Sequence, residues 1–179
     1  LGLSACGGGD QESGATEETA GFVVYSGRSE ELVGPLIEQF ETATGVQTEV
    51  RYGDTAELAA QLLEEGDNSP ADVFFAQDAG ALQVVQDEGL TTSLPADVVR
   101  KVPAKFRSAD DQWVGTSGRA RVIVYNTELV PADEVPNTVF ELTEPQWKGQ
   151  VGIAPTNASF QAFVTAMRVT VGEERTKEW

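Results

Sequence analysis

The sequence predicts an α/β domain with a parallel sheet, because short apolar runs alternate with segments of helical periodicity. Strand-like runs at residues 22–25, 46–52 and 72–76 are each followed by an amphipathic stretch. The third run is almost wholly apolar, which is typical of strands buried on both faces of a sheet. The order strand, helix, strand implies right-handed crossovers, and these join parallel strands.

The first helix is predicted over residues 29–44, where large apolar residues recur at helical spacing. Gly45 follows as a C-terminal stop. Pro35 falls inside this segment, so it either kinks the helix or marks its true start.

Two further helices follow the second and third strands. One is predicted to have Asp54 or Thr55 as its N-cap and to end at Gly66. The other is predicted to have Asp78 as its N-cap and to end near Gly89.

The second half of the chain is richer in loops. Residues 121–126 form its most strand-like segment, and three prolines follow between residues 131 and 145. Another short strand is predicted at 151–154, and a helix with one apolar side is predicted to open at 156–159.

Composition excludes several classes of function. The 179-residue chain has a net charge of −17, which argues against nucleic acid, because that binding needs Lys and Arg to neutralise phosphates. Histidine is absent, which removes His-based catalysis and His metal ligands. Since no nucleophile–base pair or phosphate-binding motif occurs, we do not expect an enzyme.

The N-terminus predicts a lipid anchor. Residues 3–6, Leu-Ser-Ala-Cys, resemble a bacterial lipobox, and Cys6 is the only cysteine. The polar residues that follow predict a flexible tether. The basic part and most of the apolar part of a signal peptide are missing, so the sequence is expected to begin inside one. We expect an extracytoplasmic protein that is held to the cell membrane only through lipid on Cys6.

Five segments, in order along the chain, resemble the ferric-ion-binding proteins of bacterial iron ABC importers. They read VYSGR at 24–28, TGV at 44–46, SPADVFF at 69–75, SGRARVIVYN at 117–126 and PQWKG at 145–149. The resemblance implies a periplasmic-binding-protein type II fold, in which two α/β lobes joined by a strand hinge close on a ligand. It also implies an ABC importer permease as the partner; we expect a monomer.

This resemblance divides the chain into four parts. Residues 1–20 are the lipobox remnant and tether, 21–120 the first α/β lobe, 121–126 the hinge strand, and 127–179 a partial second lobe. Arg119 and Arg121 flank the crossing between lobes, where we expect them to pair with acidic groups.

The expected ligand site combines loops with a helix start. Ligands of open parallel sheets bind at the carboxyl ends of the strands, and helix N-termini attract anions. The alternative role for the serines, for Asp78 and for Asn157 is ordinary helix capping. The candidate ligand-binding residues are Ser26, Gly27, Arg28, Ser29, Gln77, Asp78, Asn157, Ala158 and Ser159.

The resemblance implies ferric iron as the transported ligand, with carbonate or phosphate as a synergistic anion. Ferric iron takes hard oxygen donors, and Tyr25 and Gln77 are the candidates for metal ligands. The alternative role for Tyr25 is packing in the core, which we favour. The adjacent tyrosine pair of the family is absent, and Ser29 and Gln77 stand where some members have histidine and glutamate. Phe160 stands where other members have tyrosine. The alternative is therefore a receptor of the same fold for a small organic or phosphonate-type anion, a polyamine or thiamine.

Overall fold

A computed structural model describes residues 21–179, so the predicted lipobox and tether at 1–20 lie outside the described residues. Strands β1 to β3 span Phe22–Ser26, Thr48–Tyr52 and Val73–Phe75. Helices α1 to α6 span Glu30–Thr44, Thr55–Glu65, Ala79–Asp87, Ala96–Val99, Ala158–Val171 and Glu173–Glu178. Within 21–179, no helix has the length and apolar character needed to cross a membrane.

The three strands form a parallel sheet in the order β2-β1-β3. Val24 in the central strand is opposite Val50 on one side and Val73 on the other. Helices α1 and α2 are the crossover connections between successive strands. The predicted α/β arrangement is confirmed, and it brings the carboxyl ends of all three strands to one edge.

Helix α1 begins directly after Ser29 and runs through Pro35, which therefore does not mark its start. Gly45 ends the helix in a left-handed conformation, with φ of 74°, and its N–H donates to the Glu41 carbonyl at 2.8 Å. Glycine adopts this conformation without the steric cost of a side chain. The predicted stop is confirmed.

The core lies between the sheet and helices α2 and α3. Leu58, Ala59 and Leu62 of α2 and Val85 of α3 are buried around Tyr25 of β1. The three α2 residues share one face of the helix because they are one, three or four positions apart. Each large apolar side chain buried here contributes about 1.5–3 kcal/mol of transfer free energy. The cluster holds the central strand against two helices whose first turns lead to the strand ends.

The hydroxyl of the buried Tyr25 lies in a polar network. It donates to the Glu65 carboxylate at 2.9 Å and accepts from Arg51 at 3.1 Å. Burial raises the pKa of Tyr25, and the bond to Glu65 raises it further. The Ser69 hydroxyl, which donates to Glu65 at 2.6 Å, lowers the pKa of that carboxyl. The phenol is therefore held protonated as a donor and the carboxylate is held charged as its acceptor.

Two segments that were predicted as strands are irregular. Residues 121–126 and 151–154 pair with no strand in the described part of the chain. Val122 and Val124 are 66% and 86% exposed. A β-branched segment without a neighbour gains no ladder hydrogen bonds and no cross-strand packing, so its composition alone does not make it a strand.

The predicted helix in the second half is confirmed as α5. Its Phe160 and Phe163 rings pack against Trp179, with centroid separations of 6.4 and 5.9 Å. The Trp179 indole N–H donates to the Val139 carbonyl at 2.7 Å. This aromatic cluster fixes the start of α5 relative to the segment that precedes it.

We predict that Tyr25→Phe lowers the free energy of unfolding by about 1–2 kcal/mol, because it removes a bond to a charged acceptor while Glu65 keeps its bond to Ser69. Urea denaturation measures the change. Tyr125→Phe is the control, because Tyr125 is 37% exposed, and we expect a change of about 0.5 kcal/mol or less. Equal losses in the two variants would contradict the role of the Tyr25 network.

Candidate ligand-binding cleft

A cavity of about 1530 Å³ runs along β3, the edge strand of the sheet, and the part of it at the carboxyl end of that strand forms a cleft. The loops after β1 and β3, the segment 112–121 and the start of α5 line it. This is the position at which open parallel sheets bind ligands, because the loops and helix N-termini meet there.

The Ser26 side chain holds the loop after β1 in place. The buried Ser26 hydroxyl accepts from the Arg28 N–H at 3.2 Å and donates to the Arg28 carbonyl at 3.0 Å, so it stabilises the turn. Gly27 has no room for a side chain, since a Cβ there would lie 2.0 Å from Thr55 Oγ1. The close contact brings the Gly27 carbonyl to the first turn of α2.

The Gln77 amide is fixed by that carbonyl. Its Nε2 donates to the Gly27 oxygen at 2.9 Å, and its backbone N–H donates to Thr55 Oγ1 at 3.3 Å. The Thr55 hydroxyl in turn donates to the Gly27 carbonyl at 3.4 Å. These bonds join the ends of β1 and β3 to the start of α2.

The other side of the cleft contacts Gln77 through Ser159. The Ser159 hydroxyl donates to Gln77 Oε1 at 3.3 Å and accepts from Arg119 Nη2 at 2.9 Å. A continuous hydrogen-bond chain therefore runs from Arg119 through Ser159 and Gln77 to Gly27. It connects two walls of the cleft that are 82 residues apart in sequence.

Three arginines line the cleft: Arg28, Arg119 and Arg121. Within residues 21–179, the ion pairs involve other basic residues, so the predicted pairing of Arg119 and Arg121 with acidic groups is not found there. Burial lowers the pKa of Arg28, and the positive charge of Arg119 lowers it further. The Arg121 guanidinium carbon lies 6.0 Å from the centre of the Phe160 ring. These charges are therefore available to an anionic ligand.

Two of the predicted site residues serve as helix caps. The Asp78 carboxylate accepts from the backbone N–H groups of Gly80 and Ala81, at 2.9 and 3.2 Å. The Asn157 side chain accepts from the Phe160 N–H at 3.2 Å. Both residues still line the cleft, and each cap uses one side-chain oxygen, Oδ1.

The remaining candidates lie at the margin of the cleft or away from it. Ser29 is exposed at the N-cap of α1 and makes no side-chain cap bond. Ala158 is the half-buried first residue of α5. Tyr25, a candidate metal ligand, is fully buried in the core with its hydroxyl bonded to Glu65 and Arg51. Among residues 21–179, no group of three or more Asp, Glu, Cys or His side chains is placed to hold a metal.

Sequence reasoning missed the roles of Thr55 and Arg119. Thr55 was considered only as a helix cap, whereas its buried hydroxyl connects Gly27 and Gln77. Arg119 lies in a Ser-Gly-Arg triplet that repeats the one ending at Arg28, and this repetition within an acidic chain was the available signal.

We predict that Gly27→Ala lowers the free energy of unfolding by about 1–3 kcal/mol through overpacking against Thr55. Thermal or urea denaturation measures the change. Gly118→Ala, where a Cβ would meet nothing within 4 Å, is the control and should change stability by about 0.5 kcal/mol or less. A second change, Thr55→Ala, should restore part of the loss, since it removes the nearest atom. A Gly27→Ala protein as stable as the control would refute the close contact.

Curated relatives align with nearly the whole chain. The Fe(3+)-binding periplasmic protein of Serratia marcescens is 33% identical over 165 residues, which cover 92% of this chain and 49% of that protein. The major ferric iron-binding protein of Neisseria meningitidis is 33% identical over 167 residues, again 92% of this chain and 50% of that protein. The chain therefore spans about half the length of the curated relatives it matches.

Solved structures of iron-bound proteins also superpose on most of this chain. Iron-bound HitA from Pseudomonas aeruginosa superposes with a TM-score of 0.86 at 28% identity, over 88% of this chain and 52% of that one. A Trichodesmium protein in complex with iron and citrate superposes with a TM-score of 0.71 at 31% identity, over 89% of this chain and 51% of that one. The predicted periplasmic-binding-protein type II fold is confirmed.

The family comparison is consistent with the cleft and with the expectation of a binding protein rather than an enzyme. Residues 68–179 match the family described as bacterial extracellular solute-binding proteins. That region includes Gln77, Arg119 and Ser159, which line the cleft. The chain is a member of the bacterial extracellular solute-binding protein family.

Proposed function

We propose that this protein is the extracytoplasmic receptor of an ABC importer and that it binds ferric iron together with a small anion. The observation that carries the proposal is that the aligned loops line a cleft at the carboxyl end of the sheet. Relatives that align over 92% of the chain are named for ferric iron binding. Carbonate or phosphate is the expected co-ligand, and three arginines provide donors for an oxyanion.

The start of α5 is the favoured anion position of the two helix N-termini considered. The first turn of α1 carries Glu30 and Glu31, which repel an anion and already compensate the helix dipole. The first turn of α5 carries no acidic residue, and Ser159 there is bonded to Arg119. We therefore place the anion near Asn157, Ala158 and Ser159 rather than at Ser29.

The division into lobes is part of this proposal. Residues 21–120 form the first lobe, 121–126 connect it to the second, and 127–179 belong to the second lobe. The bond between Gln77 and Ser159 is then a contact between lobes across the cleft. An importer permease is the proposed partner of a monomeric receptor, and nucleic acid is not a partner.

Lipid on Cys6 is the proposed membrane anchor, and it is supported by the lipobox-like sequence at 3–6 and the polar segment after it. We predict that the protein, expressed from its natural gene in a bacterial host, incorporates a labelled fatty acid. Cys6→Ala should abolish the label and release the protein from the membrane fraction, whereas Ser13→Ala should change neither. Label that persists in Cys6→Ala would disprove the anchor.

Ferric binding is tested by thermal stabilisation of the purified protein. We predict that iron(III) in bicarbonate buffer raises the melting temperature by several degrees, since ligand at about 100 times its Kd adds about 2.7 kcal/mol. Putrescine, thiamine and methylphosphonate without iron should have no such effect. Stabilisation by one of these compounds, with none by iron(III), would replace iron by that ligand class.

A further inference from the structure

We infer that the Ser159 hydroxyl is a latch: through its bonds to Gln77 and Arg119 it holds the two walls of the cleft together when no ligand bridges them. Ser159 is then a positioning residue for binding, because it sets how often the walls stand at the spacing that a ligand must bridge. This role rests on the division into lobes in the proposed function, and it does not depend on which ligand the cleft takes.

The polar links between the two proposed lobes converge on this one hydroxyl. Among the residues that the structure describes, two hydrogen bonds join residues 21–120 to residues 127–179, and both are bonds of Ser159. It donates to Gln77 Oε1 and accepts from Arg119 Nη2. Each ion pair of the described residues lies within one lobe. Removal of the hydroxyl therefore removes both polar links at once.

The acceptor of the latch, Gln77, is fixed by its own lobe. Its Nε2 donates to the Gly27 carbonyl at 2.9 Å, and its backbone N–H donates to Thr55 Oγ1 at 3.3 Å. Because only the NH₂ group of the amide can donate to a carbonyl, Oε1 is left to accept from Ser159 at 3.3 Å. A side chain that is already held in place loses little conformational entropy when this bond forms.

Arg119 orients the hydroxyl of the latch. A serine hydroxyl has one hydrogen to donate and two lone pairs with which to accept. Arg119 Nη2 donates to the Ser159 oxygen at 2.9 Å, and the single hydrogen is directed to Gln77 Oε1. A charged donor polarises the hydroxyl and strengthens the bond that the hydroxyl donates in turn. Loss of the Arg119 side chain should therefore weaken the bond between Ser159 and Gln77.

The connection between the lobes resists bending only weakly. Residues 121–126 pair with no strand in the described part of the chain, and Val122 and Val124 are 66% and 86% exposed. Helix α5, which carries Ser159, packs mainly against α6 rather than against the sheet. A segment without ladder hydrogen bonds and with few buried side chains opens at low cost. One hydroxyl with two bonds can therefore shift the balance between closed and open walls.

The latch and a ligand at the proposed anion position use the same hydrogen. The Ser159 hydroxyl has only one, so a ligand oxygen that accepts it releases Gln77. Until that exchange the latch keeps the walls close together. The apparent affinity of a site rises with the fraction of protein in the binding-competent state, and this is how the latch serves binding.

The test measures the distance between α3 and α5 on the purified full chain, in a buffer without iron, bicarbonate or phosphate. Spin labels are attached at Glu88→Cys, an exposed position at the end of α3, and at Thr165→Cys, an exposed position on α5. Cys6→Ser removes the natural thiol. Double electron–electron resonance then gives the distribution of distances, and urea denaturation shows that each variant is folded.

We predict that one distance dominates in the labelled parent protein. Ser159→Ala should add a second distance and lower the ratio of closed to open molecules by about tenfold, because two hydrogen bonds are lost. Ser159→Thr keeps a hydroxyl and should restore most of the first distance. Arg119→Met leaves the acceptor on Gln77 in place and should lower the ratio by about two- to fivefold. Thr156→Ala and Arg100→Met change exposed residues of the same types and should leave the distribution unchanged.

The outcomes separate the latch from a structural role and from the proposed function. A purely structural hydroxyl would lower the stability of Ser159→Ala without adding a second distance, and that result overturns the latch. A parent protein with the same distribution as Ser159→Ala overturns it too. Since the measurement contains no ligand, ferric binding stands if the latch fails, and the latch stands if iron(III) gives no thermal stabilisation.

Discussion

The cleft depends on the carbonyl oxygen of Gly27. It accepts the Gln77 side-chain amide and the Thr55 hydroxyl, so one backbone group positions the ends of β1 and β3 and the start of α2. A buried carbonyl without partners would cost about 1–3 kcal/mol, which ties the three elements to a single geometry. Because Gly27 has no side chain, Thr55 can approach it closely. This approach in turn orients Gln77 toward Ser159.

The arginine charges that line the cleft differ in sign from the net charge of the chain. The chain carries a net charge of −17, yet the cleft is lined by three arginines without acidic partners in the described residues. The core network differs, because Tyr25 there bonds to both Glu65 and Arg51. Three arginines without acidic partners in one cleft of an acidic protein indicate a binding surface for anions rather than a contribution to stability.

The parts of the fold that were predictable are those whose signals are local. Apolar periodicity located α1, α2, α3 and α5, and the caps at Gly45 and Asp78 were found because capping depends on one residue and its nearest turn. The strand predictions at 121–126 and 151–154 differ from the structure because a strand needs a neighbour, and composition cannot supply one. The position of the candidate site followed from the order of strands and helices, which places loops 26–29 and 77–78 at one edge.

Sequence by itself determined the α/β class, the parallel crossovers, the acidic character and the residues from which a binding loop could be drawn, because these follow from short-range pattern and composition. Only the tertiary structure decided what each residue does. It placed Tyr25 in the core, engaged Asp78 and Asn157 as caps, and brought Arg119 through Ser159 to Gln77. The physical reason is that a hydrogen bond between residues 82 positions apart depends on how the chain packs, and no local pattern encodes that distance.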